Sequence, residues 1–111
     1  MLHRMNLRPE PFEKIRSGQK TVELRLYDEK RRLIVSGDRI EFSCEGESIL
    51  TEVLLLHRFS SFEELYSALP LEKCGYTKAE LASASPADMN RYYTPEQQAK
   101  YGVVGIELKL I

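Results

Sequence analysis

The sequence predicts an α+β fold, a small five- to six-stranded β-barrel covered by short helices. Three observations carry this reading. Strand-like runs recur along the chain, each short and bounded by turn residues. One short helical pattern comes early, and several more cluster before the end. The terminal run VVGIELKLI alternates strictly and must return to close the sheet.

The elements follow in order. LHRMNL (2–7) alternates loosely and reads as a first strand. In PFEKIRSG, Phe12 and Ile15 stand three apart, with proline first and Gly18 last, which predicts a helix over 10–17. The next strand, 20–27, sets Val22, Leu24 and Leu26 against Thr21, Glu23, Arg25 and Tyr27. DEKRR is a charged loop and SGD (36–38) a turn. RIEFSC (39–44) turns Ile40 and Phe42 inward. SILTEVLLLHRF (48–59) is apolar on both faces in its middle, so it is predicted to be central. Ser61 caps a helix over 61–69, which Pro70 ends. Thr77 with Glu80 opens another in the capping-box pattern, and Ser85-Pro86 and Thr94-Pro95 repeat the cap-then-proline opening. In the last strand, 103–111, Val104, Ile106, Leu108 and Leu110 oppose Gly105, Glu107, Lys109 and Ile111.

A chain of 111 residues predicts one domain, 1–111, with a core sufficient to fold without metal or disulfide staples. No apolar run approaches the ~20 residues of a membrane span, so no membrane partner is expected. MLHRMNLRPE lacks the hydrophobic segment of a signal peptide, which makes the cytoplasm the default address. Cys44 and Cys74 are read as reduced, half-buried thiols, and Cys74 has no histidine nearby to make it a nucleophile. His3 and His57 show no metal-ligand spacing; neither a metal nor a cofactor is expected.

The net charge of −1 argues against a nonspecific polyanion binder, but its distribution is uneven. Residues 1–40 hold ten Lys and Arg against six Asp and Glu, a net +4. The remainder holds six against eleven, a net −5. Either one basic face meets phosphate or interspersed charges solvate the surface.

GQKTVELRLYDEKRR (18–32) concentrates the question. Residues two apart in a strand project to one side, so Glu23 and Arg25 are within reach of an ion pair. On open solvent such a pair contributes about 0.2–1 kcal/mol and means little. If that face instead looks toward a helical cover, a cleft there gathers Lys20, Glu23 and Arg25 around a small volume. Lys and Arg then grip an anionic or carbonyl-bearing ligand, while Glu sets their geometry or accepts from a base edge.

The spacing Gly18-x-Lys20-x-x-Glu23-x-Arg25 follows an apolar strand, a proline and the helix carrying Phe12 and Ile15. With the SGD turn, the strand after it and the last strand, it resembles the signature of the ASCH domain across essentially the whole chain. The resemblance implies a barrel of the PUA-like group with a cleft beside the motif. It implies binding of RNA, a nucleotide or a modified nucleoside, and catalysis in some members. Gly18, Lys20, Glu23 and Arg25 are the motif positions. Some bacterial relatives remove the acetyl group from acetylated cytidine with a Lys, a Thr and a Glu. The nucleophilic Thr lies three residues after the Lys, where this chain has Glu23; Thr21 does not replace it.

Two functions therefore stay open. The first is a binding module in which Lys20, Glu23 and Arg25 read a ligand without turning it over. The second is a small hydrolase, an amidohydrolase or ribonuclease, with Lys20 and Glu23 as acid and base. The changed nucleophile position and the acidic second half favour the first. Tyr27 shares the Glu23/Arg25 face and is a candidate ligand contact. Arg58, at the end of the central strand, reads as a phosphate contact or an exposed strand-end arginine. Tyr92 and Tyr93 either stack bases or pack over the barrel. Lys30-Arg31-Arg32 is a solvated loop or a phosphate contact.

Overall fold

The computed structural model describes residues 1–111. Its five strands are β1 (Leu2–Asn6), β2 (Val22–Leu26), β3 (Arg39–Cys44), β4 (Glu47–Phe59) and β5 (Val103–Leu110). They form one sheet in the order β1-β3-β4-β5-β2, curled into a half-barrel. β1 runs parallel to β3 and the other neighbours are antiparallel. β4 is central, as predicted, although its apolar middle is not buried on both faces: Leu54 and Leu55 are exposed beside a register shift against β5. The half-barrel stays open between β1 and β2, the two outer strands.

Helix α1 (Pro9–Arg16) starts on prolines, whose fixed φ suits a first turn, and carries Lys14 and Arg16 at its negative end. It stops at Gly18, whose φ of +85° turns the chain toward β2. Its Phe12 and Ile15 are buried with Ile40 and Phe42 of β3 and Val104 and Ile106 of β5. These fill the hollow of the half-barrel. Burying one such side chain contributes roughly 1.5–3 kcal/mol.

A second core lies on the other side of β2. Val22, Leu24 and Leu26 pack with Phe62 and Leu65 of helix α2 (Phe62–Ala68) and with Met89. Met89 belongs to a helical cluster comprising α3 (Lys78–Leu81), a 3₁₀ segment (Pro86–Arg91) and α4 (Pro95–Tyr101). Thr77/Glu80, Ser85/Asp88 and Thr94/Gln97 each form a reciprocal capping box. Each box satisfies two N–H groups that a helix start otherwise leaves without a partner, which lets elements this short persist. Ser85-Pro86 opens a 3₁₀ segment, while Thr77 and Thr94 open α-helices.

The apolar face of β2 thus meets the helices, and its polar face turns the other way. Directly opposed residues in an antiparallel pair project to the same side. Glu23 pairs with Ile106 and Arg25 with Val104, and both partners face the hollow. The charged face lies on the concave side, which α1 also occupies, at the open edge. Inside the hollow the fully buried Thr51, opposite Ile40, satisfies its hydroxyl by donating to the Ile40 carbonyl at 2.9 Å, whereas the charged residues of β2 sit at the mouth.

Candidate functional site

β2 begins two residues later than the alternation predicts, because other elements hold the chain entering it. The Lys20 N–H donates to the Lys14 carbonyl at 2.9 Å, and the N–H groups of Thr21 and Val22 both donate to the Lys73 carbonyl at 2.8 and 2.9 Å. Lys20 is therefore outside the strand's alternation. Its side chain swings to the Glu23 side, whereas a regular strand would send it to the Val22 side.

The consequence is a clamp on one carboxylate. Lys20 Nζ lies 2.8 Å from Glu23 Oε1, and Arg25 Nε donates to Oε2 at 2.7 Å. Glu23 is only 3 % exposed. Burial alone pushes its carboxyl up, but the charges of Lys20 and Arg25 and their hydrogen bonds outweigh it and hold Glu23 below the ordinary carboxylate range. Burial likewise works against the Arg25 charge, and Glu23 overrides it, raising Arg25 further. Arg25 Nη2 also donates to the Asn6 carbonyl at 3.1 Å, bridging the last residue of β1 to β2 where no ladder joins them. Two cations on one carboxylate leave a net positive charge at the centre.

This triad forms the floor of a cleft of about 620 Å³ along the free edge of β2, with α1 on one side and the helical cluster on the other. Lys14 lies in its wall, its Nζ donating to the Gly75 carbonyl at 2.6 Å and pairing with Glu10 at 3.1 Å and Glu80 at 3.4 Å. Gly75 has a φ of +112°, and a Cβ there would stand 3.2 Å from Cδ of Lys20. The Lys20 stem thus lies directly against glycine backbone. Opposite, Tyr66 donates to the Tyr76 hydroxyl at 2.7 Å, which donates to Asp88 Oδ2 at 2.8 Å. Burial, Tyr66 and Asp88 together drive the Tyr76 hydroxyl strongly up, so this chain of hydroxyls stays protonated.

The structure brings together Lys20, Glu23, Arg25, Tyr92 and Tyr93, which all line the cleft. Tyr93 both packs and lines: its ring stacks on Phe62 with centroids 6.3 Å apart. Tyr92 is half exposed, with the Arg8 guanidinium 5.7 Å over its ring. Tyr27 and Arg58 are not among the lining residues. Tyr27 shares the Glu23 face but lies beyond the end of β2, where its ring is held between Arg32 at 4.6 Å and Arg58 at 5.5 Å. Arg58 Nη1 donates to the Tyr27 hydroxyl at 3.3 Å. The two satisfy each other away from the clamp.

Sequence reasoning missed Arg8, Lys14, Gly75 and the Tyr66–Tyr76–Asp88 relay. Only Gly75, sitting in a loop between helices, carried a signal. The others reach the cleft through tertiary packing. Cys44 and Cys74 are both free thiols. No helix is long and apolar enough to cross a membrane.

Comparison with known proteins fits this architecture. Over its full length the chain resembles the crystal structure of hypothetical protein PH0355, at 37% identity and a TM-score of 0.84, covering 100% of both chains. Protein PF0455 from Pyrococcus furiosus, solved by NMR, is 35% identical with a TM-score of 0.78, over 100% of this chain and 98% of that one. The crystal structure of ASCH from Zymomonas mobilis shares the fold at 18% identity and a TM-score of 0.66, over 97% of this chain and 66% of that one. No curated protein matches the chain. A model of the ASCH domain matches residues 5–111. With the Lys20–Glu23–Arg25 clamp at the mouth of a five-stranded half-barrel, the chain belongs to the ASCH domain family.

Proposed function

We propose that the cleft binds a single unstacked nucleoside unit of RNA or a modified nucleoside, and holds it without turning it over. The clamp carries this reading. Both Glu23 oxygens are occupied, and the carboxyl is held low, whereas a general base works best with a pKa near the operating pH. Glu23 is suited to aiming Lys20 and Arg25, and the surplus positive charge suits a carbonyl or anionic edge.

Other features of the cleft support a base as ligand. A volume of about 620 Å³ suits a nucleoside and excludes a duplex. Tyr92, Tyr93 and the Arg8 guanidinium offer flat surfaces, and single-stranded RNA is read by stacking on such groups and by hydrogen bonds to base edges. The edge of β2 adds a donor and an acceptor. Thr21 accepts from Leu108 and Tyr27 donates to Gly102, so the odd-numbered residues bond to β5. Leu24 therefore turns its N–H and C=O away from β5, along the edge that the cleft follows.

Equilibrium titration with ribonucleosides, acylated nucleosides and short single-stranded RNA tests the reading, with product analysis on the same samples. Saturable binding without product is expected. Turnover that disappears in Glu23→Gln while affinity is kept would establish the hydrolase instead.

A further inference from the structure

Arg25 borders a second space. On the other side of its side chain, between β1 and the 3₁₀ turn Arg31–Leu33, lies a recess of about 410 Å³. Arg25 and Asn6 line both spaces. Arg4, Arg25, Lys30 and Arg31 line the recess, and no carboxylate does. Neighbouring acids compensate only part of this charge. Arg4 pairs with Glu41 at 3.3 Å, Arg31 with Asp28 at 3.2 Å and Arg25 with Glu23, while Lys30 forms no ion pair. The Nε of Arg31 is a buried donor with no acceptor in the protein. The excess of basic residues in 1–40 thus converges, in part, on one concave spot of a chain whose net charge is −1.

We infer that this recess is a phosphate site, and that the ligand of the cleft is a nucleotide unit whose phosphate passes Arg25 to reach Arg4, Lys30 and Arg31. The inference rests on the reading of the cleft as a nucleoside site and names what lies beside it. A base in the cleft carries its phosphate one sugar away, and the guanidinium bordering both spaces marks the crossing. Guanidinium groups pair with phosphate oxygens in a fork that an ammonium lacks, which suits a recess with three arginines. The phosphate is either the terminal monoester of a nucleotide or the diester of a continuing RNA chain.

The test follows backbone and side-chain NMR signals of the full chain during titration with four kinds of probe. These are inorganic phosphate, the four ribonucleosides, their 3′- and 5′-monophosphates, and dinucleoside monophosphates. At low salt a nucleotide should bind at least about tenfold more tightly than its nucleoside, the gain of one charge-assisted contact set. Signals of Arg4, Lys30 and Arg31 should move with phosphate-bearing probes and stay still with nucleosides. The double variant Arg4→Ala/Lys30→Ala, both exposed positions, should lose the phosphate gain. A gain with dinucleoside monophosphates identifies the diester as the source; a gain with monophosphates alone identifies a free nucleotide or an RNA end. Nucleosides that bind with no phosphate gain, or a gain that survives in the double variant, overturn the recess and spare the cleft. Inorganic phosphate that moves the recess signals in the wild type only, with no nucleoside bound, upholds the recess and overturns the cleft. No response to any probe overturns both.

Discussion

Lys20 and Glu23 are three residues apart, a spacing that puts side chains on opposite faces of a strand, yet Lys20 Nζ lies 2.8 Å from Glu23 Oε1. The contact exists because the Lys14 and Lys73 carbonyls capture the main chain before β2 begins. The charged face of β2 is thus completed by a residue that is not in β2.

Removing the central charge of this clamp leaves two cations in a poorly hydrated place. Glu23→Gln should destabilise the protein by about 3 kcal/mol, the usual scale for breaking a buried pair. Lys20→Met/Glu23→Gln should recover part of that loss, since only Arg25 then lacks its counter-charge. Urea unfolding of the wild type, the single variant and the double variant measures both effects. Equal stability of wild type and Glu23→Gln would mean that the clamp opens to water.

Gly75 has a structural role that no periodicity announces. Alanine there meets a φ of +112° and the Lys20 stem together. Gly75→Ala should cost about 1–3 kcal/mol, and weaken ligand binding through displacement of Lys20. Gly37→Ala shares the positive φ, at +92°, with nothing within 4 Å of its Cβ, so it should cost stability without touching affinity. Parallel unfolding and binding curves separate the two effects.

Acid should destabilise the protein in a defined window. Asp38 accepts from His3 Nε2 at 2.8 Å and from the Val35 N–H at 3.1 Å, and these contacts bring its carboxyl from an ordinary 3.8 to about 2. A carboxyl lowered in the folded state stabilises fully above its unfolded value, and that contribution is lost as pH falls through the folded one. Asp38→Asn should therefore flatten the stability curve between about pH 4 and pH 2. Glu23, also lowered, acts in the same direction, beginning just below its ordinary 4.5. Urea midpoints measured from pH 7 downward test the slope; an acid limb unchanged in Asp38→Asn would refute the assignment.

Cys74 lines the cleft beside Lys20, but its thiol is not poised for chemistry. Burial pushes it up to about 11, against the lowering by Lys20, so the thiol stays protonated near neutral pH, and its sulfur is shielded from solvent. Ellman's reagent should modify Cys74 only at the rate of unfolding. Fast modification of the folded protein would show the cleft to be more open than described.

Much of the fold was legible because periodicity reports directly on which face is buried. Ile40 and Phe42 alternate inward, and the Thr77, Ser85 and Thr94 caps stand where their boxes form; the apolar middle of β4 misreports burial, since Leu54 and Leu55 are exposed at a register shift. Which side of β2 meets the helices was not legible, because alternation separates two faces without saying what covers each. The clamp was legible as a spacing, since Lys20, Glu23 and Arg25 lie within six residues of one another. The cleft walls were not. Arg8, Tyr66 and Asp88 arrive from separate elements, and no local pattern marks the arrival. Tyr27 shares the right face and still misses the cleft, because Arg32 and Arg58 hold its ring.

Affinity for single-stranded RNA and for ribonucleotides in wild type and Lys20→Met, at matched folded fraction, tests the central claim most directly. Methionine keeps the stem beside Gly75 and leaves Glu23 paired with Arg25 alone, so the fold survives while the surplus charge goes. A loss of at least about tenfold in Lys20→Met is the predicted result, one charge-assisted contact removed. Binding that stays within about twofold would contradict the claim that this clamp holds the ligand.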